Sequence, residues 1–80
     1  MKKIVILGAA ESGVGAAILA KKQGMDVFVS DRSAVRDDYK EKLNRHNIRW
    51  EELQHTEEEI LSADEVVKSP GIPDTAPLVQ

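Results

Sequence analysis

Three short segments carry residues whose types and spacing suit chemistry. The first, Gly8-Ala9-Ala10-Glu11-Ser12-Gly13, is a turn of small residues between an apolar run and an alanine-rich stretch. A turn from strand into helix presents the free N–H groups of the helix's first turn, which suit a phosphate or diphosphate. Gly8 permits a tight turn, and Gly13 lets a helix lie close to its strand. Ala10 occupies the middle position, where bare backbone normally approaches the phosphates. Its methyl sits at the closest approach and, if the site needs φ > 0, adds strain of about 1 kcal/mol. Glu11 complements a helix N-terminus. Gly8 and Gly13 also have the glycine spacing of a Walker loop, but Val14 and Gly15 stand where Lys and Ser/Thr are required, so ATP is not expected here. The alternative is a tight strand–helix turn with no ligand.

The second segment is Asp31-Arg32-Ser33, and the third is Lys68-Ser69-Pro70-Gly71-Ile72-Pro73. Asp31 lies near the distance at which NAD enzymes place an acid for the ribose hydroxyls. As an acceptor-only carboxylate it suits the imide N3–H of uracil equally well. It can also simply begin a surface turn. Lys68 is either a phosphate-reaching cation or a solvated strand end.

Positioning these segments falls to the elements between them. Ile4–Leu7 is a continuous apolar run, as in a parallel strand covered on both faces. From Ser12 the pattern is helical, with Val14, Ala17, Ile18 and Lys21 on one face and Gly24 as the C′ stop. Ala16, Ala17 and Ala20 keep this helix slim. Val27–Ser30 reads as a second strand, and Val35 to about His46 as a charged helix with Tyr39 and Leu43 inward. Ile48–Trp50 reads as a third strand. Thr56-Glu57-Glu58-Glu59 reads as a capping box opening a short helix with Ile60 and Leu61 inward. Glu65–Lys68 reads as a fourth strand, ended by Ser69-Pro70-Gly71, and Ala76-Pro77-Leu78-Val79 as the start of a further helix. This alternation predicts an α/β fold: a Rossmann-like, doubly wound parallel sheet of four strands in order 3-2-1-4, with helices on both faces. Winding reverses between the first and fourth strands, and ligands bind at that switch point, outside the carboxyl ends of the strands. The topology thereby gathers Gly8–Gly13, Asp31 and Ser69–Ile72 at one crevice.

Composition excludes several classes. Eighty residues make one domain, which buries only about 60% of its unfolded surface. Phe28, Tyr39 and Trp50 are the only aromatic residues, so aliphatic side chains must build the core. A net charge of −3 gives no electrostatic footprint for nucleic acid. The chain has no cysteine, hence no disulfide and no thiolate metal site, which fits a reducing compartment. No segment approaches the roughly 20 apolar residues of a membrane span. Glu11 cuts the run after Lys2 and Lys3 too short for a signal peptide. His46 is expected at a helix C-terminus and His55 in solvent, while Glu57-Glu58-Glu59 reads as an acidic first turn and not a metal site.

"ILGAAESG", "VFVSD" and "ADEVVKSPGIP" stand in the order and spacing of the N-terminal domain of the Mur ligases. The chain resembles that family over essentially its whole length, in particular the branch that joins D-glutamate to UDP-N-acetylmuramoyl-L-alanine. The resemblance implies that this domain binds the UDP part of that substrate and not a nicotinamide cofactor. It implies that Glu11, Ser12 and Gly13 meet the diphosphate, through backbone N–H groups and the Ser12 hydroxyl. Asp31 would accept from uracil, Arg32 and Ser33 would flank the base, and Ser69, Pro70 and Gly71 would line the diphosphate–sugar side. The family usually carries glycine at the Ala10 position, and some members carry Thr-Arg at the Arg32-Ser33 position. The resemblance further implies a larger cytoplasmic, monomeric ligase of peptidoglycan synthesis whose ATP, magnesium and D-glutamate sites lie in other domains. These 80 residues are then expected to hold no cofactor or metal and to be inactive alone. An NAD-binding domain and a ligand-free interaction module are the competing readings.

Overall fold

Ile4, Val5 and Ile6 are successive residues and all are buried, as a central parallel strand requires. In the computed structural model, which describes residues 1–68, they lie in β1 (Lys3–Leu7). The chain continues through α1 (Glu11–Lys22), β2 (Asp26–Ser30), α2 (Asp37–Arg45), β3 (Arg49–Glu51), α3 (Glu57–Leu61) and β4 (Glu65–Lys68). All strand pairs are parallel and the order is β3-β2-β1-β4, as the sequence predicts. The expected readings at Ser69–Ile72 and Ala76–Val79 lie outside the described residues.

Register sorts the side chains onto two faces. Ile4 pairs with Val27 and Ile6 with Val29. These four join Val14, Ala17, Ala20, Leu43 and Ile48 in the core beneath α1 and α2. Val5 pairs with Phe28, and both are buried on the opposite face. Lys3 shares that face with Val5, because alternate residues of a strand point the same way. From there its Nζ reaches α3, donating to Glu59 Oε2 at 3.0 Å and to Ser62 Oγ at 2.6 Å. Arg49, the register partner of Phe28, stacks 5.3 Å above the Phe28 ring and also donates to Glu59. One glutamate thus ties α3 to β1 and β3 across the intervening β2.

Local expectations need three corrections. Thr56 and Glu59 form no capping box: Glu59 is drawn to Lys3 and Arg49, while the Thr56 N–H and hydroxyl both donate to Glu51. Leu61 is not inward but 76% exposed, because α3 is a helix of only 5 residues whose attachment is ionic. In α1 it is Ala20, not Lys21, that completes the buried stripe of Gly13, Val14 and Ala17. Gly24 does take the C′ position, with φ +86° after the Gln23 C-cap.

Candidate functional site

The crevice begins where β1 ends. Gly8 has φ +113°, a conformation natural to glycine, and its N–H donates to Ser30 O at 2.8 Å. The buried Ala9 then donates its N–H to Asp31 Oδ2 at 2.7 Å. Ala10 follows with φ −94° and ψ −176°, extended backbone that any residue adopts. The condition for strain at this position, φ > 0, is therefore not met, and only its exposed methyl distinguishes alanine from glycine there. A Cβ on Gly13 would stand 2.0 Å from Gly8 O and 3.5 Å from Ile6 Cγ2. Gly13 thus serves the closure of the loop on itself more than helix–strand packing.

α1 opens at Glu11 with no side chain capping it, and its first intrahelical bond beyond the cap runs from Val14 N to Ala10 O. The N–H groups of Glu11, Ser12 and Gly13 consequently have no acceptor within the helix. They stand at the positive end of the helix dipole, where an anion is favoured. Glu11 and Ser12 are exposed there, while Gly13 is buried against the turn.

Asp31 continues from the tip of β2. Its Oδ1 accepts the Ser33 N–H at 2.8 Å while Oδ2 holds Ala9, so the carboxylate shapes its own turn and braces the glycine loop. A carboxylate has about four acceptor positions, leaving roughly two for a ligand. Arg32 and Ser33 are exposed. The structure therefore brings Gly8, Ala10, Glu11, Ser12 and Gly13 together with Asp31, Arg32 and Ser33. Lys68 is exposed at the end of β4, opposite Leu7 in register. Ser69, Pro70 and Gly71 lie outside the described residues.

Behind this turn is a polar network that the sequence reading missed. Ser30 is fully buried, and its hydroxyl lies 2.8 Å from Glu51 Oε2, 3.1 Å from Gln54 O and within hydrogen-bond reach of His55 Nδ1. The hydroxyl has one proton and two acceptor-only neighbours, so His55 must donate to it from Nδ1. His55 is therefore half-buried and engaged rather than solvated, because the segment after β3 folds back under β2. Burial acts to raise the Glu51 carboxyl, but hydrogen bonds from the Thr56 hydroxyl and N–H and from Ser30, with nearby His55, outweigh it and hold it below the usual range. Glu52 is also held low, chiefly by the Val35 N–H that it accepts at 2.8 Å and then by Lys40. Two further bonds join the same segments: Leu53 N to Ser33 O at 3.2 Å and Gln54 N to Asp31 O at 3.3 Å. The signal that could have exposed this network is the pair Glu51-Glu52 at a strand's carboxyl end, the end where this fold places ligands.

An open depression of about 470 Å³, lined by Asn44, Asn47, Ile48, Arg49 and Trp50, lies at the amino end of β3, away from this crevice. Among the described residues no group of three His, Cys, Asp or Glu side chains is placed to hold a metal. Among them, too, no helix is long and apolar enough to cross a membrane.

Comparison with known proteins agrees with this architecture. Residues 3–77 match the family described as the MurD N-terminal domain. A UDP-N-acetylmuramoylalanine--D-glutamate ligase of Bacteroides fragilis is 68% identical over 99% of the chain, and that of Bacteroides thetaiotaomicron is 66% identical over 99%. The protein of the same name from Chlorobium phaeobacteroides is 44% identical over 99% of the chain. The chain spans only 17–18% of the length of these relatives. With residues 3–77 of its 80 matched, the chain belongs to the MurD N-terminal domain family.

Proposed function

We propose that this domain binds the UDP moiety of UDP-N-acetylmuramoyl-L-alanine for an ATP-dependent D-glutamate ligase of peptidoglycan synthesis. The observation that carries the reading is the 2.7 Å bond from Ala9 N–H to Asp31 Oδ2, which joins a diphosphate-type turn to a base-side carboxylate. On this reading the N–H groups of Glu11, Ser12 and Gly13 and the Ser12 hydroxyl receive the diphosphate. A remaining lone pair of Asp31 accepts the uracil imide, and Arg32 and Ser33 flank the ring. Ser69, Pro70 and Gly71 would line the diphosphate–sugar side. The ligand is small and anionic, the setting cytoplasmic and the protein monomeric, without nucleic acid or membrane as partner.

ATP and magnesium do not fit this loop. Val14, at the position a Walker lysine would need, is buried in the core, and Gly15 follows it in α1. Those groups are assigned to parts of the ligase beyond this chain, which alone should release no phosphate from ATP above the blank.

Titration followed by amide resonances tests the ligand. UDP should shift Ser12, Gly13, Arg32 and Gly71, and NAD should shift them little. Equal or larger shifts with NAD would overturn the uridine assignment, and silence with both ligands would favour an interaction module.

A further inference from the structure

We infer that Leu53 is a specificity-determining contact of the base site, an apolar wall against which the uracil ring lies. This rests on the uridine reading above. Two non-glycine residues among those described have positive φ: Asn47 at +58° and Leu53 at +62°. Asn47 is accounted for, since it follows the His46 C-cap of α2, where asparagine is a common substitute for glycine. Leu53 is not. A bulky residue rarely adopts this conformation, and its side chain is 68% exposed, so burial in the fold does not compensate for it.

What holds the leucine there is the architecture of the crevice. Its own N–H is fixed to Ser33 O at 3.2 Å, and the next N–H, of Gln54, to Asp31 O at 3.3 Å. On one side Glu52 is pinned by Val35 N–H and by Lys40 at 3.3 Å. On the other, Gln54 O lies 3.1 Å from the buried Ser30 hydroxyl. Strain that its surroundings over-determine clusters at ligand sites. Here it sets an exposed apolar side chain beside Ser33, in the turn that follows the imide-accepting Asp31. A pyrimidine ring whose polar edge is taken by Asp31 offers an apolar face, and covering that face removes both the ring and the leucine from water.

The test compares the wild-type chain with Leu53→Ala and Leu53→Gly, using UDP and inorganic pyrophosphate as probes. Both variants should weaken UDP about five- to tenfold, the worth of partly burying one leucine, and leave pyrophosphate affinity unchanged. Leu53→Gly should melt no lower than wild type, because glycine adopts this φ freely. The Leu53 methyl resonances should move with UDP and stay still with pyrophosphate. Wild-type-like UDP affinity in both variants would overturn this inference and leave the uridine reading standing. A wild type that ignores UDP would remove both. Equal losses for UDP and pyrophosphate would also overturn it, since the leucine would then act only by ordering the loop.

Discussion

Asp31 and Ala9 lie 22 residues apart in sequence, yet the Asp31 carboxylate accepts the Ala9 N–H at 2.7 Å. An acid whose spacing suggests a ligand contact is thus also a strut between the two loops that would grip the ligand's ends. Binding and loop order are coupled through one side chain.

Removing that strut should be felt without any ligand. Asp31→Ala leaves the N–H of Ala9, a residue only 3% exposed, without the acceptor it has in the folded chain, at a cost of about 1–3 kcal/mol. Asp31→Asn retains an acceptor oxygen but loses the charge, and should fall between the two in urea denaturation. On the uridine reading Asp31→Asn also loses about 1–3 kcal/mol of UDP affinity. Methylating uracil at N3 should then cost less than it does against wild type, because Asp31→Asn has already weakened the bond that the methyl removes. Unchanged stability of Asp31→Ala would show that the strut is not formed in solution.

Two glycines of α1 make a matched pair. Gly13→Ala places a methyl 2.0 Å from the Gly8 carbonyl oxygen, which is backbone and has no easy retreat. It should destabilise the chain by more than about 2 kcal/mol and disturb the amide resonances of the whole turn. Gly15→Ala meets nothing within 4 Å and should stabilise by up to about 1 kcal/mol through helix propensity. A Gly13→Ala protein as stable as wild type would mean that the turn is looser than described.

Ala10→Gly separates backbone strain from ligand contact. Since Ala10 already sits at φ −94°, glycine relieves nothing and only adds freedom to the unfolded chain, costing about 0.5–1 kcal/mol. UDP affinity by calorimetry should stay level or rise as the methyl leaves the diphosphate side. A marked drop would show that the methyl packs usefully and that the turn does not cradle a diphosphate.

The sheet was legible because its signals are local or topological. The unbroken apolar run Ile4–Leu7 and the short strands alternating with helices leave few arrangements other than 3-2-1-4. Those same rules brought Gly13 and Asp31 to one place. The network of Ser30, Glu51, His55 and Thr56 was not legible, because each residue has a plausible local use. Thr56 with Glu59 satisfies the capping-box pattern in sequence, but the fold gives Glu59 two cations and gives Thr56 a carboxylate. Leu53 carries no pattern at all; only its φ and its exposure distinguish it.

Acid should loosen the α3 face through Glu59. The Lys3 ammonium, hydrogen-bonded to it, and then the Arg49 guanidinium, against some burial, hold this carboxyl below its ordinary value. A carboxyl lowered in the folded state binds fewer protons there than in the unfolded chain. Its stabilisation is therefore fully present above the unfolded value, about 4.3, and is lost as pH falls through the lower folded value. Glu51 and Glu52 are lowered too, so urea midpoints should hold level down to about pH 5 and then fall. Glu59→Gln should cost about 1 kcal/mol at pH 7 and flatten that acid slope, because its share of the linkage is gone. The Lys3–Glu59 pair, with side chains 16% and 23% exposed, should also resist salt better than Glu41–Arg45, at 70% and 68%. Glu41→Gln, losing only an exposed helical pair, should change stability by less than about 0.5 kcal/mol. Superimposable pH profiles for wild type and Glu59→Gln would show that Lys3 and Arg49 do not hold α3 through this carboxylate.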